Sequence, residues 1–255
     1  MSNVFDLTGR VALVTGSSKG LGRAMAEGLA RAGASVVVSS RKQELCDEVA
    51  AKIAAETGRP TLGLACHVGD WDAIPPFVDQ VAAHFGRIDV LVNNAGINPT
   101  AMPLVDMTLE YWHKVFSVNL DGPLRMAQCV APVMRDGAGG SIINIASMAA
   151  YDSGPGQAHY GATKAALVNL SRTMAKEWAP WGIRVNVISP GPIRSEMTDG
   201  AERATPGFYE RASAATLQNR TADTDEIIGP TVYFASDASS FVTGENHCVS
   251  GGMRR

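Results

Sequence analysis

Three side chains in the stretch SMAAYDSGPGQAHYGATK, residues 147–164, have the types and spacing for proton transfer: Ser147, Tyr160 and Lys164. If the segment from about Ala158 onward is helical, Tyr160 and Lys164 sit one turn apart on the same face. A tyrosine with a free pKa near ~10 is a poor base at neutral pH, and an ammonium held beside it favours the phenolate. Lowering that pKa by about three units takes roughly 4 kcal/mol of differential interaction, much of which one ammonium in a partly dry site can supply. Ser147 precedes a turn built on Gly154, Pro155 and Gly156, so its hydroxyl can return to the same substrate oxygen. The spacing also fits a solvated helix face with Ser147 as a helix cap, so the surrounding chain has to decide.

What must position these residues is an alternation of short apolar runs and longer amphipathic ones. Strands are predicted at residues 11–14, 35–39, 61–66, 90–93, 141–146 and 184–189, with helical patterns between them; Gly33 closes the first helix. Strands alternating with helices imply βαβ units, hence an α/β, Rossmann-like doubly wound parallel sheet with helices on both faces. No linker, repeat or low-complexity segment interrupts the pattern, and residues 1–255 read as one domain. A net charge of -3 gives no electrostatic footprint for nucleic acid or an anionic membrane. The cysteines at 46, 66, 129 and 248 form no CxxC pair and read as small buried residues in a reducing compartment. The five histidines have no metal-ligand spacing, so no metal is expected. Neither an early apolar leader nor a run long enough to span a membrane is present, and the protein is expected to be cytoplasmic.

The first strand-to-helix turn, TGSSKGLG at 15–22, brings Gly16, Ser18, Lys19, Gly20, Leu21 and Gly22 together. Glycines there let the backbone turn sharply and approach a pyrophosphate resting on the helix N-terminus. Their spacing is GxxxGxG rather than the commoner GxGxxG. The second strand ends in Ser39-Ser40-Arg41, where an acidic residue would accept from a 2′-hydroxyl and repel a 2′-phosphate. A serine hydroxyl and a guanidinium suit the phosphate, with Lys19 as a second cation. NADP(H) is therefore the expected cofactor, with NAD(H) still possible. After the fourth strand, Asn93, Asn94, Ala95 and Gly96 lie at the crevice where open α/β sheets bind ligands. Asn119 interrupts a helical pattern that it supports poorly; either it faces solvent, or its side chain loosens the helix and holds a water.

TGSSKGLG, NNAG at 93–96, Asn119, Ser147, YGATK at 160–164, Pro190-Gly191 and the closing ASDASSFVTGENHCVSGG together resemble the short-chain dehydrogenase/reductase family over essentially the whole chain. The resemblance implies Tyr160 as general acid in carbonyl reduction and base in alcohol oxidation. It implies Ser147 polarising the substrate oxygen, Lys164 binding the nicotinamide ribose, and Asn119 placing a water that connects Lys164 to solvent. It extends the cofactor contacts to His67 and Val68 at the adenine, and to Pro190, Gly191, Ile193 and Ser195 near the carboxamide. The chain departs from the family pattern at His67, where an aspartate is common, at Ser195 in place of threonine, and at Ser250 in place of the aspartate of VDGG.

In this family the segment 192–220 varies and covers the substrate. Met197 there, with Met148, Ala149 and Tyr151 from other loops, suggests a moderately apolar pocket for a medium-sized ketone or secondary alcohol. Arg194, Arg203 and Arg211 are interspersed with Glu196, Asp199, Glu202 and Glu210, so a charge-balanced lid is expected. Three readings share the motifs: a 3-oxoacyl-carrier-protein reductase, with Arg135 or Lys176 docking the carrier; an NAD-dependent polyol or sugar dehydrogenase; and a non-catalytic dinucleotide sensor. The helix after Tyr160 carries a wide apolar stripe at 167, 170, 174 and 178, and the family resemblance implies a homotetramer, a dimer being the other option.

Overall fold

The computed structural model describes residues 3–253. Seven parallel strands form one sheet in the order β3-β2-β1-β4-β5-β6-β7. They are β1 (Val11–Thr15), β2 (Ser35–Ser40), β3 (Thr61–Ala65), β4 (Val90–Asn93), β5 (Gly140–Ile145), β6 (Ile183–Pro190) and β7 (Asn246–Val249). Six of these coincide with the predicted runs to within a residue or so. β7 was not anticipated, because Asn-His-Cys-Val at an edge is neither an apolar run nor a clean alternation.

The helices are α1 (Gly20–Arg31), α2 (Gln43–Thr57), α3 (Ile74–Phe85), α4 (Leu109–Phe116), α5 (Gly122–Asp136), α6 (Ala158–Trp178), α7 (Glu196–Ala204), α8 (Phe208–Ala214) and α9 (Ile228–Ala235). Strand alternation sorts the core into two layers. Val36 and Val38 face one side with α1, α2 and Phe234 of α9. Val37 faces the other with α3, α5 and α6. Met174, Ala175 and Trp178 of α6 are buried in that second layer with Leu170 packed against it, so the apolar stripe serves the sheet. No helix of the described residues is long and apolar enough to cross a membrane.

The chain lays β2 and β3 on one side of β1 and β4 to β7 on the other. The order therefore reverses between β1 and β4, where a doubly wound sheet opens a crevice beyond its strand ends. Thr15 aligns with Ser39 and Asn93 with Asn144, so the segments that follow β1, β2, β4 and β5 emerge along a common edge.

Candidate active site

At the crevice, Thr15 ends β1 and hands the chain to the glycine turn. Its Oγ1 accepts from the backbone amides of Asn94 (3.0 Å) and Ala95 (3.1 Å), and Asn94 Nδ2 donates to the carbonyls of Thr15 (2.9 Å) and Gly16 (3.1 Å). The Asn94 side chain, expected to touch cofactor, thus holds the turn. A Cβ on Gly16 would sit 2.8 Å from Ala95 Cα, and one on Gly22 would sit 2.3 Å from the Gly16 carbonyl oxygen. These two glycines are required by the packing of the loops on each other. The cradle itself is the N-terminus of α1, where Lys19 provides no capping side chain and the first turn contains no acid. Its first amides therefore lack side-chain acceptors and are ready to hold an anion.

Ser17 ties the turn to β2: its amide donates to the Ser39 carbonyl (3.0 Å) and its Oγ accepts from the Ser39 amide (2.9 Å). Ser39 Oγ is buried with no hydrogen-bond partner, an orphaned polar atom at the strand end. Ser40 lies half-buried and Arg41 exposed beyond it. Lys19, expected to be a second phosphate cation, instead pairs with Glu196 in the first turn of α7, across the mouth of the crevice. Val68 is buried, whereas His67 is exposed, and its Nδ1 accepts the Gly69 amide at 3.1 Å. A neutral His67 ring therefore carries its proton on Nε2, a donor where an aspartate would accept. The uncapped helix, the orphaned hydroxyl and the Ser40-Arg41 pair fit a phosphorylated dinucleotide.

The proton-transfer residues converge past the ends of β4 and β5. Asn119 lies in a π-helical turn, Ser117–Asp121, between α4 and α5. Opening the ladder there frees its side chain to accept from Ile97 N (2.8 Å) and to donate to Ile97 O (2.9 Å) and Thr163 Oγ1 (3.3 Å). Of the two alternatives, the loosened helix is the one observed, with Asn119 fully buried rather than facing solvent. Tyr160 and Lys164 lie in the first two turns of α6, the Lys164 ammonium 5.6 Å from the Tyr160 ring centroid. Lys164 is 4% exposed and donates to Ile145 O at 2.8 Å. A Cβ on Gly96 would lie 3.5 Å from Lys164 Nζ and 3.4 Å from Asn119 Oδ1, so this glycine keeps the space beside both open. Ser147 extends from the end of β5, its Oγ accepting the Ala149 amide (3.1 Å) while hydrogen-bonded to Tyr160.

Burial raises the Tyr160 pKa above its ordinary value, and the Ser147 hydrogen bond acts against that rise. Burial also brings Lys164 down to about 8. The expected depression of Tyr160 by Lys164 is therefore not a property of the chain alone. The ammonium spends itself on Ile145 O and on the ring face, and it is the more easily discharged of the two.

On the substrate side, Met148 is buried, Ala149 partly so, and Met197 is exposed. Tyr151 is anchored to β7, its hydroxyl accepting from Asn246 Nδ2 (2.9 Å) and Cys248 Sγ (3.5 Å). Ser195 caps α7, linked with Thr198 in a capping box, and Thr198 Oγ1 donates to Ile193 O (2.9 Å). Pro190 ends β6, and a Cβ on Gly191 would meet Ser250 Cα at 2.7 Å. Several charges of the 192–220 segment are engaged within it. Glu202 accepts the amides of Gly207 and Tyr209, Tyr209 donates to Asp199 (2.6 Å), and Arg194 lies 4.8 Å over the Tyr209 ring. Arg135 is paired with Asp136 and lies against Trp181. Thr15, Ser17 and Thr163 were not singled out in the sequence, and Glu196 was named only as one of the acidic residues of the lid. Thr15, immediately before the glycine turn, carried the best available signal.

A parallel doubly wound sheet with this glycine turn, and with Ser, Tyr and Lys at its reversal point, defines the class of dinucleotide-dependent oxidoreductases. A family model described as enoyl-(acyl carrier protein) reductase matches residues 16–254. Dehydrogenase/reductase SDR family member 4 of Caenorhabditis elegans is 38% identical over 257 residues, 99% of this chain and 98% of that protein. Gluconate 5-dehydrogenase of Gluconobacter oxydans is 37% identical over 251 residues, 98% of this chain and 97% of that protein. A solved gluconate 5-dehydrogenase from Burkholderia cenocepacia, in complex with NADP and tartrate, matches with a TM-score of 0.93 at 36% identity, covering 98% of this chain and 96% of that one. The chain belongs to the short-chain dehydrogenase/reductase family, oxidoreductases that act on alcohols and ketones with NAD(P).

Proposed function

We propose that this chain is an NADP(H)-dependent reductase of a medium-sized ketone, or dehydrogenase of the matching secondary alcohol, with Tyr160 as general acid and base. The observation that carries the reading is the convergence of Ser147, Tyr160, Lys164 and Asn119 at one point beyond β4 and β5. The α1 N-terminus, Ser40 and Arg41 would hold the dinucleotide, whose chemistry when bound would be hydride transfer. Tyr160 gives its proton to the substrate oxygen in reduction and takes it back in oxidation. Its high pKa suits the acid role. Ser147 donates to the same oxygen and orients it. Lys164, still charged at neutral pH but brought down to about 8, replaces the Tyr160 proton, and Asn119 holds the path from Lys164 toward solvent.

Residues 192–220 act as the lid, fastened to the glycine turn by Lys19 and Glu196. The protein works in the cytoplasm as a homotetramer of single-domain chains. A second reading, a polyhydroxy acid or polyol as substrate, is favoured by the gluconate 5-dehydrogenases among the relatives.

NADPH oxidation by the purified protein, followed across aryl ketones, keto acids, keto sugars, steroids and 3-oxoacyl thioesters, tests the proposal with Tyr160→Phe alongside. Turnover confined to one group and lost in the variant, with NADPH binding nearly intact, is expected. Near-wild-type turnover by Tyr160→Phe removes the tyrosine from the mechanism, and turnover confined to keto sugars or sugar acids selects the second reading.

A further inference from the structure

The end of β2 has a partner that the cofactor reading does not use. Register pairing with β1 stops at Ser39, so the Ser40 amide lies beyond the last β1 partner. It donates instead to the thiol of Cys46, at 3.1 Å. Cys46 is fully buried in the first turns of α2, within the apolar layer that holds Val36 and Val38. The same sulfur lies 3.2 Å from Ser40 Oγ and 3.8 Å from the Ser40 carbonyl oxygen. That carbonyl already accepts the Cys66 amide at 2.8 Å. Gln43 makes a parallel link, accepting from the Ala65 amide (2.8 Å) and donating to the Gly63 carbonyl (2.9 Å). The start of α2 is thus stitched to the ends of β2 and β3 by two side chains.

A thiol has one proton and accepts weakly. Here the sulfur accepts the Ser40 amide, and its own proton has its nearer acceptor in Ser40 Oγ. If the thiol donates there, the Ser40 hydroxyl proton is left for an acceptor outside the protein. Immediately beyond stand Arg41 and Lys42, with Glu44 the acidic side chain of the α2 first turn. We propose that Cys46 is a positioning residue for 2′-phosphate recognition: it turns the Ser40 hydroxyl into a fixed outward donor beside Arg41, and so sets the preference for a phosphorylated over an unphosphorylated adenosine ribose. This rests on the NADP(H) reading above. Cys46 does not touch the ligand; it acts through Ser40.

The test is equilibrium binding of NADPH and NADH, read by nicotinamide fluorescence, to wild type, Cys46→Val, Cys46→Ser and Ser40→Ala, with thermal unfolding run on each. Valine keeps the apolar volume and removes both hydrogen bonds; serine keeps an acceptor and a donor. Cys46→Val is expected to weaken NADPH five- to twentyfold while NADH changes less than twofold, and Cys46→Ser to hold the wild-type ratio of the two constants within about threefold. Ser40→Ala should reproduce the loss seen for Cys46→Val, and combining the two should add almost nothing. If Cys46→Val weakens both dinucleotides alike, or leaves their ratio unchanged, Cys46 only packs α2 and the inference fails with the NADP(H) reading intact. Should Cys46→Val fail to fold, an unchanged ratio in Ser40→Ala overturns the inference by itself. A wild type without preference for NADPH sinks the phosphate reading, and the positioning role falls with it.

Discussion

Replacing Lys164 with methionine should make the protein more stable at neutral pH while removing its activity. The ammonium is 4% exposed and its pKa falls from 10.5 to about 8 because burial penalises the charged form. That drop corresponds to about 3 kcal/mol of destabilisation wherever the lysine is protonated in both the folded and unfolded chains. Methionine, similar in length and apolar, removes the penalty but forfeits the bond to Ile145 O, worth about 1 kcal/mol. Lys164→Met is therefore expected to gain about 2 kcal/mol at pH 7. The sign with pH follows from the depressed folded value. Between 8 and 10.5 the unfolded chain binds more protons than the folded one, so wild-type stability rises with pH through that window. At pH 9 the penalty has fallen to about 2 kcal/mol, and the advantage of the variant shrinks accordingly. Urea unfolding of both proteins at pH 7 and 9, at one protein concentration, measures the gap, and the ketone assay measures the loss of turnover. A variant less stable than wild type at pH 7, or a gap that does not narrow toward pH 9, would refute the account of Lys164 as a charge held at a cost.

Two further substitutions test the surroundings. Gly22→Ala would place its Cβ 2.3 Å from the Gly16 carbonyl oxygen and 2.4 Å from Asn94 Nδ2, so the turn must shift. A loss of about 1–3 kcal/mol and at least tenfold weaker NADPH binding are expected. Thermal unfolding and fluorescence titration check this, with Gly58→Ala, strained but unobstructed, as the control that spares binding. His159 is fully buried with both ring nitrogens unpartnered and its ring edge-on to Tyr111 at 5.1 Å. Burial lowers its pKa from 6.5, so the unfolded chain takes up the proton first as pH falls and wild-type stability declines below that value. His159→Phe keeps the ring contact and should remove this acid sensitivity, so a gap in urea midpoints that stays the same from pH 7.5 to 5.5 would count against it.

The sequence exposed most of the sheet because a parallel strand buried on both faces is a continuous apolar run, as Val11-Ala-Leu-Val and Val90-Leu-Val are. The body of α6 was legible from its apolar positions at 167, 170, 174 and 178, and Asn119 stood out as a poor helix former at the place where the ladder opens into a π turn. What escaped was set by partners distant in the chain. Glu196 meets Lys19 only because α7 folds back across the glycine turn. Cys46 and Ser40 are six residues apart, but nothing in their types announces a thiol that supports a strand end. The pKa of Tyr160 was anticipated in the wrong direction for the chain alone, because spacing reports which groups are neighbours and not how much water either has lost.

The locations of the unfavourable groups also argue for where function lies. Within the first two turns of α6, the chain buries a histidine whose ring nitrogens have no hydrogen-bond partner and a lysine whose pKa burial brings down to about 8. Immediately opposite, a turn of helix is opened to free Asn119. None of these improves packing, and each can persist only where the surroundings over-determine it. The second half of the same helix supplies that restraint. Met174, Ala175 and Trp178, with Leu170 beside them, lock it against β5, β6 and α5, while Ser171 Oγ accepts from Asn144 Nδ2 at 2.8 Å. Asn144 in turn accepts from Asn93 Nδ2 at 2.9 Å, joining the helix to the ends of β4 and β5. A helix anchored only by its own propensity would relax away from a buried ammonium. Fixed from its far half, α6 must present Tyr160 and Lys164 at the sheet edge whether or not that is where they are most stable.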